Sequence, residues 1–186
     1  MRNILLVIDY QQDFVDGALG FPQSVRLEDP IAQKILECRS NGYEILFTYD
    51  THTAEYLNTQ EGRNLPVVHC IKGTAGWELY GKVAQLRRDT DICIEKIAFG
   101  SMELAEFLSA NQYDRVELVG VVSNICLISD AVLAKAALPE AEIIVDASCV
   151  ASNEDRLNEA ALDVMESMQI RIINRVKGWQ NFNSPS

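Results

Sequence analysis

Cys126 stands just beyond a point where an apolar stretch, Val116 to Val119, breaks at Gly120. A buried strand, a glycine turn and then a helix carrying a thiol in its first turn would put backbone N–H groups and a helix dipole beside sulfur, which favours the nucleophilic thiolate. Asp9 follows a second strand-like run, the apolar Ile4 to Ile8, and Lys96 follows a third, Asp91 to Glu95. A carboxylate, an ammonium and a thiol at neighbouring strand ends form a working set: the carboxylate can take the thiol proton, and the cation can balance both anions. Asp50 ends a fourth run, with His52 two residues on and His69 further along the same loop. These are the only two histidines in the chain. One carboxylate and two imidazoles suit a first-row divalent metal such as Zn²⁺, Fe²⁺ or Mn²⁺.

Each of these residues also has a plainer reading. An aspartate at a strand end often caps a turn, lysines commonly flank strands as solvated charges, and free cysteines are frequent core residues. The functional reading rests on their joint placement. Glu154 and Asp155 at a helix start are read as dipole partners, and Asp146 as a turn residue.

Positioning them requires strands alternating with helices. Ile4–Ile8, Glu44–Thr48, Asp91–Glu95, Arg115–Val119, Glu142–Val145 and Gln169–Ile173 read as six strands. Between them, helices are expected from Asp29-Pro30 to Asn41-Gly42, over Trp77–Leu86, from Ser101 to about Ala110, from Cys126 to Ala137 and over Glu154–Ser167. The helical stripe of the first is Ile31, Ile35, Leu36 and Cys38. The alternation predicts an α/β fold, a six-stranded parallel sheet with helices on both faces. In such sheets ligands bind outside the carboxyl ends of the strands, so the chemistry-bearing residues fall into one cleft. The stretch from Thr51 to about Thr74 is a long loop, which inside a compact domain argues for function.

With 186 residues, 48% of them hydrophobic, one domain spanning 1–186 is expected, with a polar tail after about residue 174. The net charge of −11 argues against nucleic acid and anionic membrane surfaces as partners. The apolar run at Ile4 is too short for a signal segment or a membrane span, so a cytoplasmic protein is expected. Five widely spaced cysteines with no paired motif predict reduced thiols.

Five short motifs, in order, carry a resemblance over residues 3 to 173. They are Asp9-Tyr10-Gln11-Gln12-Asp13-Phe14, Asp50-Thr51-His52, Pro66-Val67-Val68-His69, Glu95-Lys96 with Phe99, and Gly120-Val121-Val122-Ser123-Asn124-Ile125-Cys126. The sequence resembles the isochorismatase-like cysteine hydrolases, and within them the nicotinamidases. The resemblance implies a three-layer α/β/α fold and an Asp9–Lys96–Cys126 triad. It also implies a cis bond between Val121 and Val122, and an oxyanion hole from the Val122 and Cys126 amides. It implies a divalent metal, zinc first, with iron or manganese as alternatives, on Asp50, His52 and His69. Glu61 would be the fourth ligand, ahead of Glu55. Phe14 and Val121 would touch substrate, and the chain would form a dimer or tetramer. Leu65-Pro66-Val67-Val68 stands where nicotinamidases often carry a tryptophan wall. Cys126 argues against isochorismatase activity proper, whose enzymes lack that nucleophile. Three functions follow: a metal-containing amidase acting on nicotinamide; a hydrolase of another small amide, ureido or N-carbamoyl compound; and a non-catalytic scaffold with Cys126 as a redox thiol.

Overall fold

The computed structural model describes residues 1–176. Most of the expected polar tail, 177–186, lies outside the described residues. The chain begins with β1 (Asn3–Ile8), a short helix α1 (Gln12–Val15), a second short helix α2 (Pro22–Val25) and α3 (Glu28–Ser40). Then come β2 (Glu44–Asp50), α4 (Gln60–Asn64), α5 (Gly81–Leu86), β3 (Ile92–Lys96) and α6 (Met102–Asn111). The last third is β4 (Arg115–Val121), α7 (Ile128–Ala137), β5 (Glu142–Ala151), α8 (Asp155–Ser167) and β6 (Arg171–Ile173). All six strands pair in parallel, in the order β3-β2-β1-β4-β5-β6.

β1 is apolar throughout because both its faces are covered. Ile4, Leu6 and Ile8 pack with Leu104, Leu108, Leu127, Ala131, Leu162 and Met165 from α6, the α7 region and α8. Leu5 and Val7 pack on the other face with Val15, Ile31, Ile35 and Val83 from α1, α3 and α5. Alternate residues of one strand therefore feed two separate cores, which requires a continuous rather than an alternating hydrophobic run. The order of the strands reverses between β1 and β4, so their carboxyl ends open a crevice between diverging connections.

Several expected boundaries shift for physical reasons. β2 extends through Tyr49 and Asp50 because β3 pairs with it as far as Lys96. β5 continues to Ala151 past an irregularity in its pairing with β4, and β6 begins at Arg171. The helix expected over Trp77–Leu86 is wrong in its first half. A single 3₁₀ turn ends at Trp77, and Leu79 then bridges to Gln11 while Tyr80 N–H donates to the Tyr10 carbonyl at 3.0 Å. This tertiary strap holds residues 78–80 extended, and helix resumes at Gly81, whose φ of 51° a side chain would resist. In α3, Leu36 faces solvent, and Ile31, Ala32, Ile35 and Cys38 form the buried stripe.

Candidate active site

Asp9 follows β1 with φ 45°, a left-handed conformation that aspartate tolerates better than most residues. Its carboxylate is fully buried. Thr48 on β2 holds it from two sides: the hydroxyl donates to Asp9 Oδ1 at 2.6 Å and accepts the Asp9 N–H at 3.1 Å. Burial pushes the Asp9 pKa up and Lys96 pulls it down, with a net rise above the ordinary aspartate value.

Lys96, at the end of β3, is buried as well, and its Nζ meets three oxygens. It donates to the Phe99 carbonyl at 2.9 Å and to Asp130 Oδ2 at 3.0 Å. Asp9 Oδ2 is nearer, at 2.7 Å, but that contact is an ion pair outside hydrogen-bond alignment. Burial opposes the charge on Lys96, yet Asp9, Cys126 and Asp130 together push its pKa above the usual lysine value, so it stays an ammonium.

Cys126 sits beyond β4, which runs on through Gly120 to Val121 rather than turning at the glycine, in a widened π-type turn, Ser123–Leu127, that precedes α7. The peptide bond between Val121 and Val122 is cis. The Asp9 carboxylate is among the groups that act on the thiol. The expected dipole stabilisation of a thiolate meets an opposing effect. Burial pushes the Cys126 pKa well above the ordinary thiol value, and Lys96 only partly opposes it. Burial therefore favours the protonated sulfur, and ionising it needs an adjacent acceptor for the proton.

The loop after β2 gathers Asp50, His52 and His69, all buried, with candidate ligand atoms within 4.8 Å of one another. Asp50 Oδ2 lies 3.1 Å from His52 Nε2 and 3.3 Å from His69 Nε2. Glu61, in the first turn of α4, places Oε1 at 3.7 and 3.9 Å from the same two nitrogens. Donor atoms about 2.0–2.2 Å from a tetrahedral zinc would be about 3.3–3.6 Å apart, so the set fits a small divalent cation. Two details strengthen the fit. His52 Nε2 is buried without a hydrogen-bond partner, and His69 Nδ1 lies 2.7 Å from the Val67 carbonyl, which fixes the tautomer that leaves Nε2 free to ligate. Burial works against ionising Asp50, but the two imidazoles outweigh it and bring its pKa down to about 2. Glu55 instead accepts a hydrogen bond from Asn58.

One cleft, of about 200 Å³, receives both groups. Asp50, Glu61, His69 and Cys126 line it together with Phe14, Phe21, Phe99 and Val122. Phe14 packs edge-on against His69, with ring centroids 5.6 Å apart. Val121 is fully buried in the core and is not among the lining residues, so its expected contact with substrate is corrected to its neighbour Val122. Leu65 lines the cleft in the region expected to lack a tryptophan. Trp77 lies elsewhere, stacked on Tyr49 and donating to Thr51 Oγ1 at 2.9 Å.

Three residues of the site went unread in the sequence. Thr48 holds Asp9. Gln11 clamps the Asp50 backbone, accepting its N–H at 2.8 Å and donating to its carbonyl at 2.9 Å. Asp130 holds Lys96 and accepts the Ser101 N–H at 2.9 Å. Only Asp130 left a signal: it is an acidic residue on the buried face of a helix, beside Leu127, Ala131 and Ala134.

A family model described as the isochorismatase domain matches residues 3–175. The chain belongs to the isochorismatase family. It is a hydrolase of that family with a nicotinamidase-like fold. It is 33% identical over 143 residues to the uncharacterized isochorismatase family protein PncA of Bacillus subtilis, covering 71% of this chain and 78% of that one. Among solved structures it is similar to the nicotinamidase/pyrazinamidase PncA of Bacillus subtilis, with TM-score 0.83 and 27% identity, covering 92% and 99% of the two chains. It is also similar to the pyrazinamidase of Pyrococcus horikoshii in complex with zinc, with TM-score 0.81 and 26% identity, covering 93% and 99%.

Proposed function

We propose that this chain is a metal-containing cysteine amidase that converts nicotinamide and water to nicotinate and ammonia. The observation that carries the reading is the shared cleft: the buried Asp50–His52–His69 cluster and the Cys126 thiol open onto one apolar, aromatic-walled space. A small flat ring with one polar ring atom and one carboxamide matches those two ends. The structures of a zinc-bound pyrazinamidase and of nicotinamidases, similar in fold, support the same substrate class.

In this reading Asp9 takes the proton of Cys126 as sulfur attacks the carboxamide carbon. The N–H groups of Val122 and Cys126 hold the developing oxyanion. Asp9 gives the proton to the departing amine, ammonia leaves, and a thioester to Cys126 remains. Water then yields a proton to Asp9 and its oxygen adds to the thioester. The sulfur regains its proton from Asp9, and nicotinic acid departs and gives up its carboxyl proton to the released ammonia, leaving nicotinate. Lys96 keeps its ammonium charge throughout. Asp50, His52, His69 and Glu61 would hold a divalent cation, zinc before iron or manganese, which supplies a Lewis-acid anchor for a pyridine nitrogen. Phe14 and Val122 flank the ring. The same reading carries the expectation of a cytoplasmic homo-oligomer, which sedimentation would check. No helix among the described residues is long and apolar enough to cross a membrane.

The test is ammonia release from nicotinamide by the wild type and by Cys126→Ala, each with and without chelator. Release by the wild type alone, lost with chelator and restored by added metal, is the expected result. Equal rates for both proteins would overturn the mechanism, and chelator-insensitive release from an N-carbamoyl compound would move the substrate to the ureido class.

A further inference from the structure

Lys96 Nζ is nearest to Asp9, yet its two aligned hydrogen bonds go elsewhere, to Asp130 Oδ2 and the Phe99 carbonyl. An ammonium has three N–H donors and no acceptor, and its orientation is set by where those donors are satisfied. Asp130 is completely buried on α7, four residues after the nucleophile. Its second oxygen is occupied by the Ser101 N–H at the start of α6. One carboxylate thus ties together the nucleophile's helix, the lysine and the Lys96–Ser101 segment that carries Phe99 into the cleft.

The geometry points to Asp130 as a positioning residue that, with the Phe99 carbonyl, takes two of the three Lys96 N–H groups, leaving a lone pair of Asp9 Oδ2 open to the Cys126 proton. Lys96 then supplies charge next to the base without capping it. Asp9 Oδ2 is buried without an aligned hydrogen-bond partner, which is the state a proton acceptor needs. Without the Asp130 carboxylate, the freed N–H would align on Asp9 Oδ2 and occupy that lone pair. The assignment deepens the amidase reading and rests on it for the identity of the base.

Asp130→Asn in the full chain tests it through two readouts. In a crystal structure of the variant, Lys96 Nζ is expected to make an aligned hydrogen bond to Asp9 Oδ2. An ammonium left in its present position would overturn the proposal, and this arm needs no substrate. In nicotinamide turnover per folded protein, kcat is expected to fall about tenfold to hundredfold, the scale of a misplaced catalytic group, with KM within about twofold. Unchanged kcat, or a loss expressed equally in KM, would overturn it. Should the asparagine variant not fold, Asp130→Glu keeps the charge but displaces it, and the same structural shift and kinetic split are expected. A wild type inert on nicotinamide would sink the substrate assignment while leaving the structural arm able to decide the role of Asp130.

Discussion

A Cβ placed on Gly120 would lie 2.1 Å from the carbonyl oxygen of Ile8, and Gly120 itself has φ 117°. β1 and β4 pair at these two residues, immediately before Asp9 on one strand and the turn that carries Cys126 on the other. The missing side chain therefore sets how closely Asp9 and the Cys126 turn approach. Gly120→Ala is expected to destabilise the fold by about 3 kcal/mol or more, from backbone strain together with overpacking. A melting-temperature loss in thermal denaturation checks this, and a variant as stable as the wild type would refute the close-approach argument.

Metal content should follow the four proposed ligands unequally. His52→Ala and His69→Ala each remove a buried nitrogen from the cluster and are expected to purify with little metal by elemental analysis. Glu61→Gln keeps a neutral oxygen at the more exposed edge of the site and is expected to retain metal after purification but lose it at lower chelator concentrations. Full metal retention in either histidine variant would remove that residue from the ligand set.

The architecture was legible because it depends on apolar runs such as Ile4–Ile8 that only a doubly covered parallel strand tolerates. The positions of Asp9, Lys96 and Cys126 followed, since strand ends converge in such a sheet. Two kinds of information were not local. Residues 78–80 have helical neighbours but are extended because the Tyr10 carbonyl accepts the Tyr80 N–H and the Gln12 N–H donates to the Glu78 carbonyl, both from far away in sequence. The upward push on the Cys126 pKa comes from burial among elements brought together only by folding, and it works against the dipole of the one helix that the sequence shows. Thr48 and Gln11 have ordinary strand and loop contexts, so their grip on Asp9 and Asp50 exists only in three dimensions.

The reactive form proposed for the triad has Asp9 ionised and Cys126 protonated. Because burial raises the pKa of both groups, activity should rise with pH through an apparent value above that of ordinary aspartate. It should decline only once the pair gives up its remaining proton, on the alkaline side. These limbs belong to the coupled pair rather than to either residue. Asp9→Asn cannot accept the proton and is expected to lower kcat by about 10²–10⁴-fold. A kcat–pH profile from the wild type beside single-turnover rates from the variant checks both statements. Wild-type turnover by Asp9→Asn would exclude Asp9 as the base.

On the opposite face of the sheet, Lys34 of α3 reaches Asp146 Oδ2 at 2.6 Å and Glu117 Oε2 at 3.6 Å, with all three side chains largely buried. Burial alone would raise the Asp146 pKa, but Lys34, with Ser148 and Asn174, outweighs it and the net shift is downward. A carboxylate with a depressed folded-state pKa contributes stability that is present above its unfolded value, about 3.9, and is lost as pH falls through the folded one. Lys34→Met removes the cation and leaves two buried carboxylates without it, which is expected to cost about 3–5 kcal/mol at neutral pH. In the variant, burial is no longer offset by Lys34, so the Asp146 pKa should rise and protonation at acid pH should relieve part of the penalty. Urea denaturation of both proteins at pH 7 and pH 4 should therefore show the stability gap narrowing on acidification. A gap independent of pH would mean that the Lys34 contribution is packing rather than charge.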